Sequence, residues 1–215
     1  MNNGIPTKNL LFLPLVALLL SLSAACFYHV NLKAPAPTNF NPMMYQPVVL
    51  FPIPDASDHP QSGAGLGSYI RGSLKEKGYV LVKEEAVADA LEEMKLTTLL
   101  LLSDPEALVK IAERLQAKLL IIGTIPEYKV QKSYWGAETF QVWDQDSRDY
   151  LSLPTYHRGA SYIRLILRFF EPENGSLVWE IEGGVHGPSA NAEEYRRKLA
   201  DRLLRDLPAV PSTKG

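Results

Sequence analysis

Residues 161–183, SYIRLILRFFEPENGSLVWEIEG, decide the fold. Ile163, Leu165, Leu167 and Phe169 recur at every second position, as do Leu177, Trp179 and Ile181. Side chains two apart share one face of a strand, so each run reads as a strand with a single core face. Between them stands Asn174-Gly175, and Asn-Gly flanked by alternating apolar runs signals a hairpin because both residues tolerate positive φ. The stretch is read as two antiparallel arms whose apolar side must be covered.

Helical periodicity supplies the cover. After the hairpin, Tyr195, Leu199 and Leu203 mark a helix over about 192–207, capped near Asn191 and stopped by Pro208. Before it, VVLFPI from Val48 is a short β-branched strand and DASDHPQSGAG a loop. Leu66, Ile70 and Leu74 then mark a helix stopped at Gly78, and YVLV at 79–82 is the next strand. Val87, Leu91 and Met94 mark a second helix. Ser103-Asp104-Pro105-Glu106 reads as a capping box opening a third, with Leu108, Ile111, Ala112 and Leu115 inward, and LLIIGTI at 119–125 follows as a buried strand. YKVQKSYW and ETFQVWD alternate loosely. The expectation is an α/β fold of mixed α+β type, a mixed sheet flanked by helices in the order β-α-β-α-α-β-(β-β)-β-β-α, over residues 48–208 with a tail at 209–215.

Composition sets limits on this reading. Of 215 residues, 46% are apolar and 21% charged, the balance of a globular chain with room for one domain beyond its leader. Net charge is −2, and no basic stripe marks a nucleic-acid binder. A single cysteine excludes an internal disulfide. That cysteine, Cys26, follows MNNGIPTKNLLFLPLVALLLSLSAA, which has a short basic-tipped start, an apolar run from Leu10 to Leu22 and small residues at the end. The run contains Pro14 and is shorter than a comfortable membrane span, so it is read as a cleavable signal peptide, residues 1–25. Leu22-Ser23-Ala24-Ala25-Cys26 resembles the lipobox of bacterial lipoproteins. The resemblance implies acylation of Cys26, anchorage in a lipid bilayer and, with Phe27 in place of Asp, sorting to the outer membrane facing the periplasm. Residues 26–47, with prolines at 35, 37, 42 and 47, read as the lipidated tether.

No catalytic constellation is found, and the chain is expected not to be an enzyme. Gly63-Ala64-Gly65-Leu66-Gly67 follows a strand, but its glycine spacing and the long turn before it fail the dinucleotide pattern. His29, His59, His157 and His186 are scattered, with no i, i+4 pair, so no metal site is assigned. Ser152, Ser161 and Ser189 lack a nucleophile-elbow setting, and Glu84, Glu85, Glu92 and Glu93 read as solvated charges on a helix. No cofactor is expected.

Ten of the chain's twenty aromatic residues fall between Tyr128 and Phe170. Rings at this density serve most often as cross-strand pairs and core filling. Their other use is an exposed protein-contact surface, for which Tyr134, Trp135, Trp143 and Tyr156 are the candidates. Lys129, Lys132, Glu138 and Asp144 interrupt the alternation that a membrane-crossing hairpin of about 10 residues per strand needs.

VVLFPIP, the helix leading to KGYVLV, VADALEEM, EALVKIAERLQAKLLIIGTIPEY, the hairpin and the closing EEYRRKLADRLLRDLP together resemble one superfamily. It includes the curli-secretion lipoprotein CsgG, the peptidoglycan-synthase activator LpoB and the N-terminal domain of TolB. The resemblance spans most of residues 48–207 and carries fold and element order, not a site. It implies a noncatalytic domain that binds envelope proteins, forms a homo-oligomer, or both. A scaffold or accessory role in envelope export or assembly is the first expectation. Activation of a peptidoglycan synthase and a CsgG-like secretion pore are the alternatives.

Overall fold

A computed structural model describes residues 40–145, 148–188 and 192–211. The leader, Cys26, His29, Ser189, Asn191 and most of the tail lie outside the described residues. The elements in chain order are β1 (Val48–Leu50), α1 (Ser62–Glu76), α2 (Glu84–Glu93), α3 (Thr98–Leu101), α4 (Pro105–Leu115), β2 (Leu119–Val130), β3 (Tyr134–Asp144), β4 (Asp149–His157), β5 (Ala160–Phe170), β6 (Leu177–Pro188) and α5 (Ala192–Leu204). The fold is the expected mixed α/β class, with a four-stranded sheet ordered β1-β2-β5-β6 and a separate two-stranded sheet, β3-β4. β1 and β2 run parallel, and the other pairs are antiparallel.

Alternation along the strands divides the core into two layers. Val48, Leu50, Leu119, Ile121, Ile163, Leu165, Leu167 and Phe169 face one side with α1 and α5, while Val49, Phe51, Leu120 and Ile122 face the other with α2, α3 and α4. The second layer covers the β1-β2 half of the sheet. Over β5-β6 the same face carries ion pairs instead, Arg164 with Glu182 at 2.7 Å and Arg168 with Glu180 at 2.6 Å. The polar residues between the apolar positions of the hairpin thus face a sheet side that no described helix covers.

Several boundaries depart from the sequence reading. YVLV contributes only one bridge, Leu81 to Val48, because Lys83 is already the N-cap of α2. The capping residue of α4 is Asp104, whose carboxylate accepts from the Ala107 N–H at 3.0 Å, while Ser103 donates backwards to the Leu100 carbonyl. α1 begins at Ser62, so the glycine-rich segment belongs to the helix and not to a loop. Asp55 holds that start by accepting from the N–H groups of Gln61 and Gly63 at 2.9 and 2.7 Å, and Ser62 accepts from Ala56 N–H. A β-carbon on Gly63 would overlap the Ile53 carbonyl oxygen, which explains glycine there.

The hairpin forms, but its loop is Glu171–Ser176 rather than a two-residue turn, with Gly175 alone at positive φ, 66°. Pairing shifts between Phe169 and Phe170, leaving Val178 as the extra residue of a bulge. Beyond the bulge Leu177 is 51% exposed, against the expectation that it shares the core face of Trp179 and Ile181. The globular body also begins earlier than Val48. Phe40 is buried in the first core layer and stacks on Tyr45 at 4.6 Å, and Gln46 accepts from Val80 N–H. Residues 40–47, read as tether, therefore pack on the domain.

Candidate functional site

The β3-β4 ribbon follows from the lengths of β2 and β5. β2 pairs with β5 as far as Val130 and Ser161, and Gln131 N–H donates to the Ala160 carbonyl at the last rung. Residues 131–133 and 158–159 then link this pair to the ribbon, with Gly159 N–H held by the Ser133 hydroxyl. The ribbon is thus a continuation of the central strands past the part of the sheet that helices cover.

Its register assigns the faces. Tyr134 pairs with His157, Phe140 with Leu153 and Val142 with Leu151, which places these side chains on one face. Trp135 pairs with Tyr156, Thr139 with Pro154, Gln141 with Ser152 and Trp143 with Tyr150 on the other. Residues 136–138 stand opposite Thr155 alone, a bulge that carries Glu138. One face mixes aliphatic side chains with the rings of Tyr134, Phe140 and His157, and the other is aromatic and polar.

All four candidate contact residues are exposed: Tyr134 50%, Trp135 66%, Trp143 50% and Tyr156 52%. They do form cross-strand pairs. Tyr134 stacks on His157 at 4.7 Å, and Trp135 leans on Tyr156 at 5.0 Å. They do not fill a core. Phe140, Val142, Leu151 and Leu153 on the face of Tyr134 are exposed too, and sequence reasoning missed them as candidates although their every-other-residue spacing was visible. A lone two-stranded ribbon is marginal in water, and these exposed side chains lie on a feature with no core of its own.

The charged residues offered against membrane insertion lie at the margins. Lys129 and Lys132 precede the ribbon, Glu138 is in the bulge and Asp144 ends β3. Lys129 donates to Glu127 at 2.7 Å, and that hydrogen bond holds its ammonium above the usual range. The uncharged run Thr139–Trp143 is half the roughly 10 residues a membrane-crossing strand needs.

Elsewhere the titratable groups are engaged with one another. A cleft of about 480 Å³ between α1 and α2 contains Asp55, Arg71 and Glu84, but Arg71 is ion-paired with Glu84 and Asp55 caps α1. Glu93 takes a forked contact from Arg114, with Nη2 at 3.0 Å. His59 leans on Tyr128, and Ser161 is buried and donates to the Gly187 carbonyl. Among the described residues no three His, Cys, Asp or Glu side chains gather where they could hold a metal ion. No described helix is long and apolar enough to cross a membrane.

No protein-family model matches the chain, and no curated protein matches it. Solved structures do. The PelC dodecamer from Paraburkholderia phytofirmans matches with a TM-score of 0.50 at 16% identity, covering 85% of this chain and 99% of that one. Lipoprotein GNA1162 from Neisseria meningitidis matches with a TM-score of 0.51 at 13% identity, covering 74% and 96%. The LpoB C-terminal domain from Salmonella enterica is more distant, at a TM-score of 0.39 and 12% identity over 66% of this chain and 84% of that one, and bears no weight. The likeness is one of fold, and it is to a fold that a bacterial lipoprotein shares. It does not single out the CsgG or TolB branch.

Proposed function

We propose that this chain is a noncatalytic lipoprotein of the outer membrane, anchored through Cys26, that serves as a scaffold or accessory factor in envelope export or assembly by protein contacts through the β3-β4 ribbon. The exposed ribbon carries this reading. Trp and Tyr dominate binding energy at protein interfaces, and here two tryptophans and three tyrosines stand in water on a feature with no core of its own. The leader, the lipobox-like run before Cys26 and the fold shared with a lipoprotein support the anchorage. PelC, of similar fold, is a dodecamer, which supports self-association as one form of contact. Activation of a peptidoglycan synthase across the periplasm is less well served. With Phe40 packed on the domain, the thirteen residues between Cys26 and Phe40 could reach at most about 43 Å at ~3.3 Å per residue.

Alanine at both Trp135 and Trp143 should abolish cross-linking of the full-length chain to its partner in envelopes while leaving the urea midpoint almost unchanged. Retention of the cross-link would refute the contact role of the ribbon, and a large loss of stability would return these rings to the core. Replacing Cys26 by Ser should release the chain from the membrane and abolish acyl labelling.

A further inference from the structure

Strand directions place the tether and the ribbon at opposite ends of the main sheet. β1 and β2 run parallel with Val48 opposite Leu119, and Leu177 reaches the same end through Phe170, the partner of Leu120. β1, β2 and β6 therefore start from one rim. Val80 stands there too, its carbonyl accepting from Val48 N–H at 2.8 Å, and Lys118 N–H donates to the Pro47 carbonyl. The chain enters the body at this rim through Phe40, whose ring is buried. The ribbon continues β2 from its far end, twelve residues or roughly 40 Å away at ~3.3 Å per residue.

Exposed apolar side chains gather at both ends. Outside the ribbon, the large ones among the described residues are Met43, Met44, Val80, Leu177 and the Leu99-Leu100 pair of α3. The first four belong to the rim where the tether enters. Met44, at 71%, is the most exposed large apolar residue among those described. Its turn is braced: Met44 N–H donates to the Asn41 carbonyl, Tyr45 N–H to the Pro42 carbonyl and Met43 N–H to the Asn41 side chain. The stacked rings of Phe40 and Tyr45 hold that turn to the core. Two adjacent methionines are thus held in water beside the point where the chain leaves for Cys26.

The thirteen residues between Cys26 and Phe40 could reach at most about 43 Å, so an acylated Cys26 keeps this rim within reach of its leaflet. Contact by a tethered group is intramolecular, and a small apolar area then suffices. Methionine, unbranched and flexible, suits irregular apolar surroundings such as acyl chains. Lys118 and Glu173 line one hollow at this end, which therefore offers both signs of charge.

We propose that the domain seats this rim on the lipid leaflet that holds Cys26, with Met43 and Met44 entering the boundary between headgroups and acyl chains and Val80 and Leu177 lying against it. This rests on the reading of Cys26 as the lipid anchor. The contact is apolar, and it stands the β3-β4 ribbon away from the membrane, where a protein partner can reach both its faces.

The test uses the full-length acylated chain in vesicles of phosphatidylethanolamine and phosphatidylglycerol, with a fluorophore on an introduced cysteine and a nitroxide lipid as quencher. The thioether of acylated Cys26 takes no label, so the introduced thiol is the one that reacts. Reporters at Met44→Cys and at Leu177→Cys should be quenched several-fold more strongly than one at Gln141→Cys on the ribbon. With the reporter at 177, Met43→Asp combined with Met44→Asp should remove most of the quenching, while flotation with the vesicles and the urea midpoint stay unchanged. High salt should leave the quenching intact. Floating chains whose reporters at 44 and 177 are no more quenched than the one at 141 would overturn the seat and leave the anchor standing. Quenching at 177 that ignores the two aspartates, or that is lost in high salt, would overturn the apolar contact. A chain that neither carries acyl label nor floats would refute the anchor, and the seat with it.

Discussion

Two hairpins of similar arm length lead opposite lives in this molecule. In β5 every second residue from Ser161 to Phe169 is buried, with Ile163, Leu165, Leu167 and Phe169 sealed in the core layer shared with α1 and α5. In β3-β4 the rings of Tyr134, Trp135, Trp143 and Tyr156 pair across the strands just as closely, yet half or more of each is open to water. Local pairing is alike in both, and only the covering differs. A helix can seal a strand only where the sheet has a helix beside it, and the ribbon has run past the last one. The difference teaches that cross-strand contacts build a hairpin but do not say what it is for.

Tryptophan truncation should expose the contrast most sharply. Trp179, 5% exposed and packed on Phe169 at 4.6 Å, should cost about 3–5 kcal/mol when replaced by Ala, read from urea unfolding. Trp135→Ala or Trp143→Ala should change it by less than about 0.5 kcal/mol, the range of ordinary surface sites. Trp179→Phe sharpens the point. The buried indole N–H has no hydrogen-bond partner among the described residues, so Phe removes that unsatisfied donor and should recover most of the loss.

Smaller effects separate the covered part of the fold from its rim. Gly63→Ala forces α1 off the Ile53 carbonyl and should cost about 2 kcal/mol in a urea titration, as overpacking against backbone does. Asp104→Ala removes the cap of α4 and should cost about 1 kcal/mol in the same measurement. Alkaline pH probes the C-terminal seam. Burial pushes the Tyr79 hydroxyl, which donates to the Pro208 carbonyl at 2.8 Å, well above its ordinary value of 10.0. Because the fold favours the neutral form, this contribution is complete below pH 10.0 and is lost progressively as pH rises above it. The alkaline decline in stability should therefore be shallower in Tyr79→Phe, as followed by circular dichroism.

How much of this was legible depended on whether the cause was local. The β5-β6 hairpin announced itself because a strand with one covered face must alternate, and the faces of α1, α2, α4 and α5 did so by their helical spacing. Leu177 was misplaced because a bulge at Val178 has no mark in the sequence. The start of α1 was misread because its cap, Asp55, reaches in from six and eight residues before the N–H groups it holds. Phe40 and Tyr45 looked like tether because prolines surround them, although aromatic rings seldom stay in water when a core edge is near. The candidate site was visible as a cluster of rings. That it stands uncovered was not, since Trp135 and Trp179 sit in similar alternating contexts and differ only in whether a helix lies opposite.

Hydrogen exchange of the ribbon amides in the full-length chain tests the central claim most directly, by comparing native envelopes with protein extracted and diluted. If the ribbon is a contact surface, amides 134–157 should exchange slowly in envelopes and much faster after dilution, while those of β5 and β6 stay protected in both. Equal exchange of the ribbon under the two conditions would contradict the account.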